Sequence, residues 1–218
     1  KFGIAFAKAQ YLTMKEQLDR GIRYFDIRLC YQSGDSYPSH SLVSNHPFSK
    51  DLVQLEEYLK TNPHEIIILD LQHIYGYNQE RLKDLLDNIR TRFNGKLISY
   101  EKYKPTSLAG DVWHLDNLAE SSPNLIVILP NTEMATKVSK EPEYSFVWPR
   151  STIHSPWPNV QYIDSLQKKS SANLQSRDTS NFFANQLLLT PDTNYILKNP
   201  SYSLAIMAYR DLSSIYNW

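Results

Sequence analysis

Three short polar clusters in this sequence hold residue types that do chemistry. The first is Asp26-Ile27-Arg28, inside the run Ile22-Arg23-Tyr24-Phe25-Asp26-Ile27-Arg28-Leu29. That run alternates and is rich in β-formers, which predicts a strand. Side chains alternate along a strand, so Asp26 and Arg28 share one face. Two such charges are costly there unless they are paired or put to use. They fit either an ion pair that holds the strand in register or a fixed cation, oriented by the carboxylate, aimed at an anionic substrate. The second cluster is His40, after Tyr37-Pro38. It fits general acid or base chemistry, or a histidine that is simply structural or exposed. The third is Asp70-Leu71-Gln72-His73, at the end of the most apolar strand candidate. Alternation puts Asp70 and Gln72 on one face and His73 on the other. A hydrogen-bonded strand end accounts for this cluster equally well.

The other histidines carry less. His64 precedes a strand, and His46, His114 and His154 fall in loops or at helix ends. No HExxH, EF-hand, GxGxxG or GxxxxGK[ST] pattern occurs, and the chain has only 6 Gly against 15 Tyr. Nucleotide-binding loops are therefore poorly supported. The single Cys30 allows no disulfide within these residues and no multi-Cys zinc site. Lys+Arg and Asp+Glu are 23 each, a zero net charge that argues against a dedicated nucleic-acid binder. No apolar run is long enough to span a bilayer. Phe146-Val147-Trp148-Pro149 with Trp157-Pro158 reads as loop packing, or as a rim facing lipid.

The elements that must position these clusters alternate. Helices are expected at about 8–18, 50–60 (capped by Ser49), 78–93 (capped by Asn78), 107–118, 164–175 and 201–218. Strands are expected at 22–29, 65–74, 97–100, 124–129, 144–148 and 182–189, with a short segment over 37–43. The continuous apolar centre Ile66-Ile67-Ile68-Leu69 reads as a strand buried on both faces, as in a parallel sheet. Buried strands alternating with amphipathic helices predict an α/β fold, either a doubly wound sheet or a (β/α) barrel. In such folds chemistry gathers at the C-terminal ends of strands, where the three clusters lie. With 218 residues and no repeat or linker, a single domain over 1–218 is expected.

Several segments together resemble a known family. Gly21-Ile22-Arg23-Tyr24-Phe25-Asp26-Ile27-Arg28 resembles the G-[IV]-R-[YF]-[FL]-D-[IL]-R segment of the phosphatidylinositol-specific phospholipase C X domain. Lys8-Ala9-Gln10 to Gln17-Leu18 is similar to the family's K-x-Q…Q-L helix. His40-Ser41-Leu42 stands where the family has H-G-L. Pro63-His64-Glu65 with Ile66 to Leu69 is similar to P-x-E-[VI]-[VI]-[IL]-L. Asp70-Leu71-Gln72-His73-Ile74-Tyr75-Gly76 resembles the D-F-N-H-F-Y-G of the small proteins built from an X domain alone. Trp148-Pro149, Trp157-Pro158 and Gln186 to Pro191 are similar to that subgroup too. The resemblance runs from about Lys8 to Leu212 and is most specific through Tyr75.

The resemblance implies an irregular TIM-type (β/α) barrel that cleaves phosphatidylinositol to diacylglycerol and a cyclic inositol phosphate. It implies that Arg28 holds the phosphate, where calcium-dependent members bind their metal, so neither metal nor cofactor is expected. Asp26 would orient Arg28 or a histidine, and His40 would be the general acid. Asp70, Gln72 and His73 would line the inositol site. The expected partner is an inositol phospholipid or inositol phosphate, with peripheral membrane contact and no nucleic acid. A soluble domain, cytoplasmic or secreted, is expected. The sequence departs from the family pattern twice. The P-G-[ST]-H-[DN]-[ST] motif, which carries the family's first catalytic histidine, does not occur, and the family glycine after the second histidine is Ser41. The chain is therefore expected to be part of a longer one, incomplete as a barrel at both ends. The alternative is an inactive X-domain barrel that binds headgroups or a protein. A glycerophosphodiester phosphodiesterase ranks lower, because its site needs an E-x-D metal pair where this strand has Asp26-Ile27-Arg28.

Overall fold

A computed structural model describes residues 2–103 and 124–209. The helix expected at 107–118 lies outside the described residues, as does the end of the one expected at 201–218. The chain divides into two compact units, 12–152 and 1–11 with 153–218.

The unit 12–152 is built on a six-stranded sheet of order β3-β2-β1-β4-β5-β6. Its strands are β1 (Tyr24–Gln32), β2 (Asp35–His40), β3 (Leu42–Val43), β4 (Ile67–Tyr75), β5 (Leu125–Ile128) and β6 (Val147–Trp148). Neighbours among β1, β4, β5 and β6 run parallel, whereas β1, β2 and β3 fold back on one another antiparallel. Helix α3 (Phe48–Thr61) leads into β4, and α4 (Gln79–Arg92) follows it. Both are amphipathic. Leu52, Leu55 and Leu59 of α3 and Leu82, Leu85, Leu86 and Ile89 of α4 are buried with Phe25, Leu29, Leu69, Leu71 and Val127 of the sheet. One sheet face is thus a helix-covered apolar core. Each fully buried leucine there contributes about 1.5–3 kcal/mol.

Local chemistry sets the boundaries. The spacing predicts a helix from residue 8, but α2 runs only over Met14–Asp19. Thr13 and Glu16 form a reciprocal capping box, which satisfies the first free N–H groups and fixes the start. Pro47, not Ser49, stands at the N-terminus of α3, and no side chain caps it. Asn78 caps α4 as expected, its side chain accepting from Arg81 N at 2.9 Å. The strand expected at 97–100 reduces to one bridge, Leu97 to Leu125, before the helical turn α5 (Tyr100–Tyr103). At 144–148 only Val147 and Trp148 are strand, after the short helix α6 (Glu133–Val138) and a 3₁₀ turn.

The unit 1–11 with 153–218 holds α1 (Phe2–Ala7), a parallel pair β7 (Ile153–His154) and β8 (Phe182–Phe183), α7 (Ile163–Gln175) and α8 (Thr193–Lys198). The strand expected over 182–189 stops at Phe183, after which Gln186 turns to donate to Ser155 O at 3.0 Å. The aromatic cluster behaves differently at its two sites. Trp148 is fully buried and donates to Ile98 O at 2.7 Å, while Trp157 is 56% exposed and donates to Thr190.

Candidate functional site

The polar clusters of β1 and β4 meet on the sheet face opposite the α3–α4 core. In β1, Phe25 and Leu29 point to the core, with Ile27 packed against it, so Tyr24, Asp26 and Arg28 take the other face. In β4, Leu69 and Leu71 point to the core, and Asp70 lies between them on the polar face.

The register between these strands then slips. Asp26 pairs with Asp70 and Ile27 with Leu71, but Arg28 pairs with His73, leaving Gln72 extra. This is a β-bulge, a device that re-aims side chains. Partners in a parallel ladder share a face, so His73 joins Asp26, Arg28 and Asp70. Strict alternation puts His73 on the opposite face; the inserted residue corrects that reading. Gln72 stays within reach, since Arg28 Nη2 donates to its Oε1 at 3.3 Å. Gly76 closes the strand at φ +72, where a Cβ would lie 2.9 Å from Tyr31 O.

The charges are arranged unequally. Asp70 is fully buried. Tyr24 OH donates to its Oδ2 at 2.7 Å, and Arg150 Nη1 donates to the same oxygen. Its Oδ1 is buried without a hydrogen-bond partner. Asp26 is exposed to solvent. Partial loss of hydration, reinforced by the neighbouring Asp70 carboxylate, pushes its carboxyl above the ordinary 3.8, against the pull of Arg28 and Arg150. Desolvation and then Arg28 push the His73 imidazole below its ordinary 6.5, which favours the neutral ring near pH 7. His73 stacks on Tyr75 at 6.0 Å. Arg28 spends one N–H on Gln72, and no other hydrogen bond is made by its guanidinium among the described residues.

His40 ends β2 and precedes Ser41, which holds the left-handed φ of +61. A side chain is strained in that conformation, and glycine is not. His40 and Arg28, twelve positions apart in sequence, line one cleft of about 360 Å³ with Cys30, Ser39, Ser41, Leu42, Val43 and Tyr75. A larger groove of about 560 Å³ between α3 and α4 is lined by Glu56, Asp84, Asp87, Asn88, Thr91 and Arg92, none of them singled out by sequence. His46 is paired with Asp51 at 3.0 Å, and exposed His154 packs beside Phe183. Among the described residues no three His, Cys, Asp or Glu side chains are grouped to hold a metal ion.

Sequence reasoning missed Arg150 and Tyr24. Tyr24 was visible, two residues before Asp26 on the same strand face. Arg150 reads as part of a Pro- and Trp-rich loop, and it reaches Asp70 across 80 positions. The one available signal was an arginine just past the C-terminal end of a short buried strand.

The family model for the phosphatidylinositol-specific phospholipase C X domain matches residues 4–118, more than half of the chain. The chain belongs to that family. PI-PLC X domain-containing protein 2 of Mus musculus is 27% identical over 215 residues, covering 96% of this chain and 59% of the relative. PI-PLC X domain-containing protein 3 of Danio rerio is 28% identical over 215 residues, covering 96% and 62%. The X-domain chain thus spans about three fifths of the length of these relatives. Among solved structures, the phosphatidylinositol-specific phospholipase C of Listeria monocytogenes superposes with a TM-score of 0.61 at 17% identity, over 97% of this chain and 72% of that one. A Staphylococcus aureus phosphatidylinositol-specific phospholipase C, from a study of its membrane binding, gives 0.62 at 14% identity, over 95% and 72%. The fold expectation is met: the X-domain chain is α/β, of the irregular TIM-type (β/α) barrel class.

Proposed function

We propose that the protein containing this X domain is a metal-independent phosphodiesterase acting on inositol phospholipid, with products diacylglycerol and a cyclic inositol phosphate. The observation that carries the reading is the shared cleft of Arg28 and His40. A guanidinium that makes one hydrogen bond among the described residues, to neutral Gln72, and an imidazole line one space.

The reaction asks for three things of such a site. The inositol 2-hydroxyl oxygen bonds to phosphorus and the bond from phosphorus to the diacylglycerol oxygen breaks. Arg28 donates hydrogen bonds to the phosphate oxygens, where charge grows in the transition state. His40 gives its proton to the departing diacylglycerol oxygen. Asp26 orients Arg28 from the same strand face, while Gln72 and His73 face the inositol ring and buried Asp70 holds Tyr24 and Arg150 beside them. The proton of the 2-hydroxyl goes to a base that no residue of this chain is assigned. The family's first histidine motif is not among these 218 residues. Exposed Leu42, Val43 and Tyr75 border the cleft, which suits a site that meets its substrate at a membrane surface.

The test is phosphorus NMR of phosphatidylinositol micelles incubated with the full-length protein in excess EDTA. A new cyclic phosphodiester signal, lost in His40→Ala and in Arg28→Ala, is the expected result. A signal only after calcium is added overturns the role of Arg28. No signal under either condition overturns catalysis and leaves a headgroup-binding barrel.

A further inference from the structure

The wall of the cleft is built from two sides of the sheet. Cys30 and Tyr75 are register partners across β1 and β4, and both line the cleft with His40. Side chains alternate, so Tyr31, next to Cys30, faces the other way, toward the core. Its partner across the β1–β2 hairpin is Ser36, which is buried. Tyr77 follows β4 and packs against the core. Its hydroxyl donates to Ser36 Oγ at 2.6 Å. Burial pushes the Tyr77 phenol up to about 12, so it stays protonated, and a donor, at neutral pH. The Tyr77 ring meets Tyr31 edge to face at 5.7 Å, and the Arg81 guanidinium of α4 lies over the Tyr31 ring at 4.5 Å. Arg81 Nη1 also donates to Gly76 O at 2.7 Å. Gly76 passes so close to Tyr31 O that a Cβ there would lie 2.9 Å from it. These contacts clasp the root of the hairpin to the exit of β4 and the start of α4.

The other end of the hairpin carries His40 and is held less firmly. The ladder between β1 and β2 ends at Leu29 and Pro38, and proline has no N–H to continue it. Ser39 and His40 pair instead with Val43 and Leu42 of β3, at the edge of the sheet. Both β3 residues are exposed, so this end buries little apolar surface. The angle of the hairpin, and with it the span from His40 to Arg28, is then set from the root. We propose that the clasp, through the hydrogen bond from Tyr77 to Ser36, holds His40 in place against Arg28. Tyr77 is a positioning residue: it does not line the cleft and acts through β2. A displacement of about 1 Å at a reacting group costs up to about a hundredfold in rate, so a bond behind the sheet is enough to matter. The inference deepens the proposed function and rests on its assignment of His40.

Three variants of the full-length protein test this, each checked for folding by circular dichroism. Turnover is measured on phosphatidylinositol micelles in EDTA. The His40 imidazole resonance, identified by its loss in His40→Gln, is followed by NMR without substrate. Tyr77→Phe keeps the ring and removes one hydroxyl. It is expected to lower kcat about tenfold with KM within about twofold, and to shift the His40 resonance while that of exposed His64 stays fixed. Tyr144→Phe removes a comparable bond, to Asp87 of α4, from a residue that does not line the cleft, and is expected to change neither kcat nor the His40 resonance. The double variant Tyr77→Phe with Ser36→Ala leaves no buried hydroxyl unpaired, so its melting temperature should recover while kcat stays low. Recovery of kcat together with stability would make the bond merely structural and overturn the proposal. Equal losses in Tyr77→Phe and Tyr144→Phe would overturn it as general loosening. So would a Tyr77→Phe variant with unchanged kcat and an unmoved His40 resonance. If the unsubstituted protein has no turnover, the proposed function fails on that evidence alone, and the His40 resonance still decides whether Tyr77 positions that residue.

Discussion

One sequence motif holds two arginines: Arg23 immediately precedes β1, and Arg28 lies in the middle of it, beside the bulge. Arg23, just ahead of the strand, has four of its five N–H donors bonded. Its Nε donates to Glu65 at 2.7 Å, Nη1 to Leu18 O at 2.7 Å and Ile22 O at 3.0 Å, and Nη2 to Tyr58 OH at 2.6 Å. These bonds tie the end of α2, the body of α3 and the approach to β4 to one guanidinium. Arg28, in the middle of the strand, makes one hydrogen bond among the described residues, of 3.3 Å. The same side chain type is spent on assembly ahead of the strand and left more available within it. Parallel sheets place stability at the N-terminal ends of strands and chemistry at the C-terminal ends, and here the contrast appears within six residues.

Substitutions can break or sharpen that contrast. The largest effect is expected from Arg28→Ala: cyclic-phosphate production falls about 10³-fold, while stability by chemical denaturation changes by less than about 0.5 kcal/mol. Arg23→Ala should do the reverse. With Glu65 partly exposed its bonds are screened, so the cost is about 2 kcal/mol, with turnover per folded molecule preserved. An exchange of these two outcomes would break the comparison. Gly76→Ala should cost about 1–2 kcal/mol, from the left-handed backbone and the contact with Tyr31 O, and is read from the denaturation midpoint. The smallest effect concerns Asp26. Its carboxyl is held above 3.8 in the fold, so the folded chain binds more protons than the unfolded one and its contribution to stability falls as pH rises past that value. Asp26→Asn should therefore raise the melting temperature at pH 7 and lower activity, with the stability gain shrinking as pH drops toward 3.8.

The apolar half of this arrangement was plain in the sequence. Ile66 to Leu69 marked β4, and the leucines of 50–60 and 78–93 marked the two helices that cover it. Asp26, Arg28 and His40 were legible because charged and acid-base residues stood at predicted strand ends. What stayed hidden has a common cause, that it depends on two strands at once. The bulge at Gln72 exists only in the pairing of β4 with β1, so strict alternation gave His73 the wrong face. The partnership of Asp70 with Arg150 needs β4 and β6 in one sheet. The helix start at Met14 was instead a local signal, Thr13-x-x-Glu16, that the hydrophobic spacing overrode.

The account stands or falls on whether Arg28 meets phosphate while Arg23 does not. The most direct measurement is the arginine side-chain Nε–Hε NMR spectrum of the full-length protein during titration with inositol 1-phosphate. The account predicts that the Arg28 resonance shifts progressively and saturates, while that of Arg23 stays fixed. A spectrum in which Arg28 does not move, or moves no more than Arg23, would contradict it.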